Sequence, residues 1–432
     1  MLNPVIVAVV LLCVLCLLKM NILFAMLISL FAGGLVGGLG LMGTMGSLLA
    51  GFGSNAETAL AYVLLGTFAT AMATTGIVDI LGQKLTKAIG DKKMVLLFSL
   101  VIIACLSQNA IPVHIAFIPI LIPPMLILMN KLKIDRRGAA CALAFGLKAP
   151  YITLPIGFGL IFQGIIADNM TANGMPVKVS DVWRVNWILG IAMIVGLCIA
   201  LFISYRKPRE YQDVLVSDHV MSEEEMKLQP RHWFTILAIL VMVGLQLKFS
   251  SLPIAAMGGL LVMILTGAIK FNELDDQFAG GIKLMGFIAF VMLVAGGFGQ
   301  VLKDTGAVDA LVQGSVSLMG GSKLVAATMI TLIGLLVTMG IGTSFGTVPV
   351  LAVLYVPLCQ QIGFSPAATI LLMSAAAALG DAGSPASDTT LGPTSGLNAD
   401  GQHNHIWDTC VPTFLHYNIP LMIAAIIGAQ FL

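Results

Sequence analysis

Long apolar stretches separated by short polar segments follow one another along the whole chain. An α-helix needs about 20 consecutive apolar residues to cross the hydrocarbon core of a bilayer. The pattern therefore predicts an all-α polytopic membrane protein. The stretches that approach or exceed this length are 2–18, 21–43, 58–80, 94–130, 138–167, 185–205, 233–250, 252–270, 284–302, 323–358, 365–393 and 414–432.

Four of these stretches are interrupted. Stretches 94–130 and 323–358 are each too long for one span, and we expect each to be a re-entrant helical hairpin. Non-helical backbone at membrane depth is tolerated where protein or water covers it. Stretches 138–167 and 365–393 contain internal breaks and are predicted to be broken helices. The sequence thus predicts about ten transmembrane helices plus two hairpins and two broken helices.

Basic residues cluster in three polar segments, at 84–93, 131–137 and 206–232. By the positive-inside rule these segments are cytoplasmic. The stretch between the first two must then begin and end on the same side of the membrane, which favours a re-entrant hairpin, or two short spans, over a single span. Counting crossings from these segments places the N- and C-termini outside, on the periplasmic side of a bacterial inner membrane.

A sequence repeat relates the two halves of the chain. TTGIVDILGQ (74–83) recurs at an offset of 230 residues as DTGAVDALVQ (304–313), and Pro155 and Pro385 keep the same offset. The basic residues of the first copy are nearly absent from the second, and none follows Lys323. We therefore expect two repeats inserted in opposite orientations, an arrangement typical of secondary transporters.

The repeats divide the chain into five segments. Each repeat contains one hairpin and one broken helix. The segments are 1–58 (N-terminal helices of a scaffold), 59–167 (first repeat), 168–288 (inter-repeat helices with the cytoplasmic loop 206–232), 289–413 (second repeat) and 414–432 (C-terminal helix).

Composition excludes several classes of function. Charged residues make up 10% of the chain, whereas soluble domains carry about 25%. The net charge of +1 argues against a nucleic-acid partner. The sequence contains no P-loop, HExxH motif or nucleophile elbow, so it predicts neither an ATP-driven pump nor an enzyme, and no cofactor. Cys13 and Cys16 form a CxxC pair in an apolar helix and are interpreted as packed or lipid-facing thiols.

The repeat aligns the four interruptions in two pairs. SQNAIPVH (107–114) corresponds to VTMGIGTS (337–344), and KAPYITLP (148–155) corresponds to 378–385. Opposite insertion would bring all four to one region at the membrane midplane. Backbone groups freed at such breaks, together with half-helix dipoles, bind ions and charged substrate groups.

Polar side chains at the interruptions form a candidate binding site. Asp381 and Asp388 supply negative charge, and an intramembrane carboxylate usually serves ion or proton coupling. Helix capping near the interface is the alternative. We expect Na⁺ at Asn109, Ser344 and Asp388. The neutral oxygens that hard cations prefer belong to Ser107, Asn109, Thr343, Ser344 and Thr347.

Other titratable side chains lie beside the interruptions. His114 follows the first hairpin tip and could titrate, bind substrate, or pack as a hydrogen-bonded core histidine. Lys148, with Tyr151 and Thr153 on the same break, could pair with an aspartate or with a substrate carboxylate.

The polar segment NADGQHNHIWDT (398–409) follows the second break. Its histidines, His403 and His405, stand near Asp400 and Asp408, a combination found at metal sites. A polar loop that caps the binding site is the simpler interpretation, and we predict no resident metal there.

The motif GDAGSPASDTT (380–390) resembles the Gly-Asp…Ser-Pro-x-Ser-Asp-Thr-Thr motif of the NhaC-type Na⁺/H⁺ antiporters of the ion transporter superfamily. Residues 392–414 resemble the YuiF-like branch, whose members are named as antiporters or as amino-acid permeases, histidine included. The resemblance implies two inverted repeats, a scaffold domain, a mobile transport domain, elevator-like movement and a homodimer. It also implies that the site is lined by Asp381, Ser384, Ser387, Asp388, Thr389 and Thr390, with Asn109 at the first tip and Thr343 and Ser344 at the second.

We therefore predict a secondary active transporter that couples Na⁺ or H⁺ to the movement of a small polar metabolite by alternating access. An amino acid such as histidine is the leading substrate, because the neutral oxygens together with Lys148 and Tyr151 exceed what one small cation requires. The alternative is a Na⁺/H⁺ antiporter that exchanges only inorganic cations, with Asp381 and Asp388 as competing ligands.

Overall fold

The computed structural model describes residues 3–18, 20–77, 80, 92–109, 118–156, 158–212, 228–249, 251–307, 310, 322–341 and 344–432. All regular structure within these ranges is helical. The helices are α1 (Pro4–Leu17), α2 (Ile22–Val36), α3 (Gly40–Thr75), α4 (Lys93–Asn109), α5 (Ile118–Lys131), α6 (Arg136–Thr153), α7 (Phe158–Ala172), α8 (Val179–Ser204), α9 (Pro230–Phe249), α10 (Leu252–Leu265), α11 (Leu274–Asp304), α12 (Lys323–Ile341), α13 (Ser344–Ile362), α14 (Pro366–Ala378), α15 (Asp388–Leu397) and α16 (His405–Phe431).

Small polar residues fix where several helices begin. Asn3 and Asn21 cap α1 and α2 by accepting hydrogen bonds from the first free backbone N–H groups. Ser365 caps α14 in the same way, and Pro366 at the first helical position needs no N–H partner. Each helix then continues through the apolar residues that follow its cap, α2 as far as a glycine and α14 as far as a break.

Five helical segments among the described residues are long and apolar enough to cross a membrane. Two helix pairs pass the same test but are bent, α6 with α7 by 48° and the two parts of α13, at 344–352 and 354–362, by 56°. Counting each bent pair as one span gives up to seven. The predicted number of about ten stays a prediction, because α1, α2, α4, α5, α9, α10 and α14 are apolar but shorter.

Both predicted broken helices contain a break in the structure. Helix α6 ends at Thr153 and is followed by the non-helical residues 154–156, and α14 and α15 are separated by a non-helical turn at 379–387. Of the predicted first tip, 107–114, residues 107–109 are helical and end α4, and the remaining residues lie outside the described ranges. Of the predicted second tip, 337–344, residues 337–341 are helical and end α12, Ser344 begins α13, and residues 342–343 lie outside the described ranges.

Some helix bounds differ from the sequence prediction. Helix α3 has 36 residues and starts at Gly40 rather than at 58. The preceding helix α2 already ends before Gly37 and Gly38, and Gly38 has φ of +82°, which ends the helix. Helix α16 starts at His405 rather than at 414, since Asn404 caps it and two π-helical turns accommodate its polar residues. His403 and His405 are therefore next to a span and not in a detached loop.

The offset of 230 residues also relates helix bounds outside the segment where the sequences match. Shifted by 230, α2 would occupy 252–266, and α10 occupies 252–265. Shifted in the same way, α3 would occupy 270–305, and α11 occupies 274–304. The order and spacing of these helices thus occur twice among the described residues.

The corresponding helices α3 and α11 cross at glycines. A methyl group added at Gly51 would lie 2.6 Å from the carbonyl oxygen of Gly296 and 2.6 Å from Cα of Gly297. Small residues allow such close backbone approach in membrane helices, where packing and not water drives association. The crossing therefore depends on residues without side chains.

We predict that Gly51→Ala lowers thermal stability, because the added methyl group meets backbone atoms that cannot move aside, and overpacking costs about 1–3 kcal/mol. Gly53→Ala is the matched control, since a methyl group there meets nothing within 4 Å. Thermal unfolding in detergent, followed by tryptophan fluorescence, measures both. Equal midpoints for the two variants would contradict the tight crossing.

Candidate functional site

The carboxylate of Asp381 lies in the second break and is nearly buried, with 9% of its side chain exposed. Its Oδ2 accepts hydrogen bonds from the hydroxyl groups of Tyr151 at 2.9 Å, Thr389 at 3.1 Å and Ser344 at 3.2 Å. Its Oδ1 accepts a further bond from Ser387. Hydroxyl groups of α6, α13, α15 and the break thus converge on one charge.

Lys148 provides the opposite charge. Its side chain is fully buried, and Nζ lies 3.6 Å from Asp381 Oδ2. The ammonium group also donates to the carbonyl oxygen of Ala378, the last residue of α14. A buried ion pair is stable only when the remaining hydrogen-bonding capacity of both charges is satisfied. Here the end of a helix supplies a carbonyl acceptor that an unbroken helix would use internally.

Two glycines let the second break approach its neighbours. Gly380 and Gly383 have φ of +83° and +91°, a conformation that other residues adopt only with strain. A methyl group at Gly380 would lie 2.7 Å from the carbonyl oxygen of Leu335. Asn418 of α16 completes the turn, donating to Ala382 O at 2.6 Å and accepting from Gly380 N at 3.4 Å. Side chains of other helices thus replace the missing helical hydrogen bonds.

Asp388 is the first residue of α15, directly after the capping residue Ser387. Its Oδ1 accepts a hydrogen bond of 3.2 Å from the hydroxyl group of Tyr62, a buried side chain of α3. Asp388 therefore combines a position favoured by the half-helix dipole with a contact to the long helix α3. Ser344, which we expected beside Asp388 at a Na⁺ site, bonds instead to Asp381.

The first break is held by two buried amides. Gln163 of α7 and Asn186 of α8 both donate to the carbonyl oxygen of Ile152, at 3.1 and 3.0 Å. Sequence reasoning missed both residues, as it missed Asn418, although each is an isolated amide in an apolar stretch. Thr153, which was predicted to belong to the site, donates within its own helix to Ala149 O at 2.7 Å.

Apart from Asp388, which contacts Tyr62, the predicted site residues fall into three groups. Those that meet around one charge pair are Lys148, Tyr151, Ser344, Asp381, Ser387 and Thr389. Those that are buried nearby but make other hydrogen bonds or packing contacts are Thr153, Thr347, Ser384 and Thr390. Those whose side chains lie outside the described residues are Ser107, Asn109, His114 and Thr343.

A second buried ion pair fixes the other end of α6. The guanidinium group of Arg136 donates to both carboxylate oxygens of Asp400 at 2.6 Å and stacks on the ring of Tyr211 at 4.2 Å. Burial raises the pKa of Asp400, but the hydrogen bonds from Arg136 outweigh it, so that the pKa lies below its usual range. The pair joins the start of α6 to the segment after α15.

The metal interpretation of His403 and His405 finds no support among the residues that the structure describes, where no group of three or more potential ligands could hold a metal ion. The two imidazoles bond instead to threonines and to a backbone carbonyl.

Comparison with known proteins identifies relatives along the full length. A family model described as "Na+/H+ antiporter family" matches residues 142–426, and one described as "Na+-H+ antiporter family" matches 3–89. The Bacillus subtilis (strain 168) protein "Putative amino acid transporter YuiF" is 48% identical over 442 residues, with 99% of each chain covered. An uncharacterized membrane protein of Vibrio parahaemolyticus is also 48% identical, with 100% of each chain covered. Among solved structures, Neisseria gonorrhoeae MtrF, titled an antimetabolite efflux pump, is 14% identical with a TM-score of 0.45, over 100% of this chain and 96% of its own.

We predict that Lys148→Met and Asp381→Asn each destabilise the protein by about 3–5 kcal/mol, because either change strands an unpaired polar or charged group in the core. The double variant should lose less than the sum of the two, since it removes both charges at once. Denaturation midpoints of the four proteins in detergent give the coupling energy. Strictly additive losses would mean that the two charges do not interact.

Proposed function

The chain belongs to the Na⁺/H⁺ antiporter family, and from this premise we propose that it uses Na⁺ or H⁺ to drive a small polar metabolite across the bacterial inner membrane. The proposed substrate is an amino acid, with histidine as the first to test. The name of the Bacillus subtilis relative, which covers 99% of this chain at 48% identity, supports an amino acid.

The observation that carries this proposal is the Lys148 ammonium group 3.6 Å from the Asp381 carboxylate. A positive charge at this distance opposes the binding of a lone cation at Asp381. An amino acid carries both charges, so its ammonium group can replace Lys148 at Asp381 while its carboxylate takes the Lys148 ammonium. The surrounding hydroxyl groups can bond to either partner.

Plain exchange of Na⁺ and H⁺ is the second candidate, and the family supports it. In this case Na⁺ would displace the ammonium group of Lys148 from Asp381, and the partly exposed Asp388 would bind the competing proton or ion. The site would then work without an organic substrate, and Lys148 would serve as an internal competitor for the cation.

We further propose that the halves are inverted repeats that move by alternating access, as an elevator in a homodimer. Two contacts of the site support a two-fold relation between the halves, because they join positions related by the offset of 230: Lys148 with Ala378 and Tyr151 with Asp381. A residue can touch its own counterpart only near the axis that relates the two copies. The inversion itself is supported by the basic residues that the first copy carries and the second lacks. Ions and substrate would shift the equilibrium by binding one state more tightly.

We expect proteoliposomes containing the protein to take up labelled L-histidine, or another amino acid, saturably under an inward Na⁺ or pH gradient. Asp381→Asn should lower kcat/KM by about 100-fold, since removing one partner of a buried charge pair costs about 2–5 kcal/mol. Asp276→Asn, at an exposed carboxylate of α11, is the control. Proton flux in response to Na⁺ without amino-acid uptake would favour the antiporter. Flux unaffected by Asp381→Asn and Asp388→Asn would contradict this site.

The inverted topology predicts that Lys131 and Gln361, which are exposed and related by the offset of 230, lie on opposite faces of the membrane. Single cysteines at these positions, in a background without the seven native cysteines, can be labelled in intact cells with a membrane-impermeant maleimide. Only Gln361→Cys should react before the membrane is opened. Labelling of both from the same side would exclude inversion.

A further inference from the structure

A series of buried and partly buried side chains connects the second break to the polar segment before α16. Nε2 of His405 lies 2.8 Å from the carbonyl oxygen of Pro385, and its Nδ1 lies 2.8 Å from Oγ1 of Thr394. Thr394 in turn lies 2.9 Å from the hydroxyl group of Thr409, which is 2.6 Å from Nε2 of His403. Four side chains thus form an unbroken series of hydrogen bonds inside the protein.

The carbonyl group at one end gives the series a direction. Pro385 O can only accept, so His405 Nε2 must donate, and the Nδ1 of a neutral imidazole is then an acceptor for Thr394. The hydroxyl hydrogens can take more than one arrangement, and Thr394 can also donate to Thr409 or to Thr390 O. In the arrangement in which Thr394 donates to His405, Thr409 donates to Thr394 and His403 Nε2 donates to Thr409, so that every donor points towards the break. Nδ1 of His403 is then left as an acceptor, and it is buried without a hydrogen-bond partner among the described residues.

Thr394 can serve both protonation states of His405. Its hydroxyl oxygen also lies 2.9 Å from the carbonyl oxygen of Thr390. When His405 gains a proton on Nδ1, it donates to Thr394, whose own hydrogen can rotate to Thr390 O. The hydroxyl group thus has an acceptor in each state, which is what a proton carrier needs and a fixed structural bond does not.

Charged groups surround His403, which forms the end of the series away from the second break. Those facing His403 are the carboxylate of Asp408 and the guanidinium groups of Arg136 and Arg209, and Asp408 bonds to Arg209 at 2.7 Å. The titratable group beside His405 is the thiol of Cys410, 3.5 Å from Nε2. Burial lowers the pKa of His403 below its usual value, so that the neutral imidazole is the favoured form and a bound proton would pass on rather than stay.

We propose that His403, Thr409, Thr394 and His405 form a proton relay between the Arg209–Asp408 surface and the second break. This proposal rests on the proposed function, with H⁺ as a transported or coupling ion. A proton binds Nδ1 of His403, each hydrogen moves across one hydrogen bond, and the proton on His405 Nε2 passes through water in the opened break to the Asp381 carboxylate. Rotation of the two hydroxyl groups, together with return of both imidazoles from the Nδ1–H to the Nε2–H tautomer by ring flip or proton exchange, resets the series, and no oxidation or reduction occurs.

The test separates proton movement from substrate binding. In proteoliposomes, a trapped pH-sensitive dye reports proton flux driven by a Na⁺ or amino-acid gradient. Exchange of labelled L-histidine or ²²Na⁺ at equal concentrations on both sides needs no net proton transfer. Thr394→Val keeps the shape of threonine but removes the hydroxyl group, and Thr394→Ser restores it. His416→Gln is the matched control, because His416 is a buried histidine of α16 that bonds to Pro412 O and Ser204 outside the series.

We expect Thr394→Val and His405→Gln to lower proton flux by at least about 10-fold, as for the loss of a proton-transfer group, with exchange close to wild type. Thr394→Ser and His416→Gln should retain both activities. Unchanged proton flux in Thr394→Val, or equal loss of flux and exchange, would overturn the relay. A wild-type protein that moves amino acids with Na⁺ but no protons would also overturn it and leave the proposed function intact. A wild type without exchange or flux would contradict the proposed function itself.

Discussion

The buried pairing of Lys148 with Asp381 is the constraint on which the surrounding structure depends. Removing two charges from water costs more than their mutual attraction returns unless other groups complete their hydrogen bonds. Asp381 obtains four hydroxyl donors, and Lys148 obtains the carbonyl oxygen of Ala378, which is free only because α14 ends there. The break and the charge pair therefore require each other: the break exposes the acceptor and carries the carboxylate, and the pair stabilises backbone that would otherwise lie non-helical in an apolar core without partners.

The breaks in turn determine which residues the flanking helices must carry. A carbonyl or N–H group released in an apolar core has to find a partner. Asn418 serves the second break, and Gln163 and Asn186 serve the first. These amides fasten α7, α8 and α16 to the two breaks, so that side chains of packed helices hold the non-helical backbone around Asp381 in place.

The sequence alone was sufficient to predict the parts of this arrangement where polar or helix-breaking residues interrupt an apolar stretch. Charged residues, glycine and proline within an apolar stretch predicted the second break and Asp381. The offset of 230 predicted the corresponding first break, and Lys148 at that break was expected to pair with an aspartate or with a substrate carboxylate. The roles of isolated amides such as Asn418 could not be predicted, because a single polar residue in an apolar helix does not indicate which group it bonds to. The start of α16 was missed because hydropathy treats polar residues as the end of a span, whereas hydrogen bonds among them allow the helix to continue.

The division of charge between the two halves has a physical reason under the proposed inversion. Near the axis that relates the copies, each residue faces its own counterpart, so that two identical copies would place like charges together. Such a pair would repel strongly in a core of low dielectric constant. The chain has alanine opposite Lys148 and tyrosine opposite Asp381. One copy therefore contributes the cation and the other the anion. The uncharged counterparts donate or accept hydrogen bonds that offset the cost of burying the two charges. A pair of opposite charges near this axis therefore requires that the two copies differ in sequence at these positions.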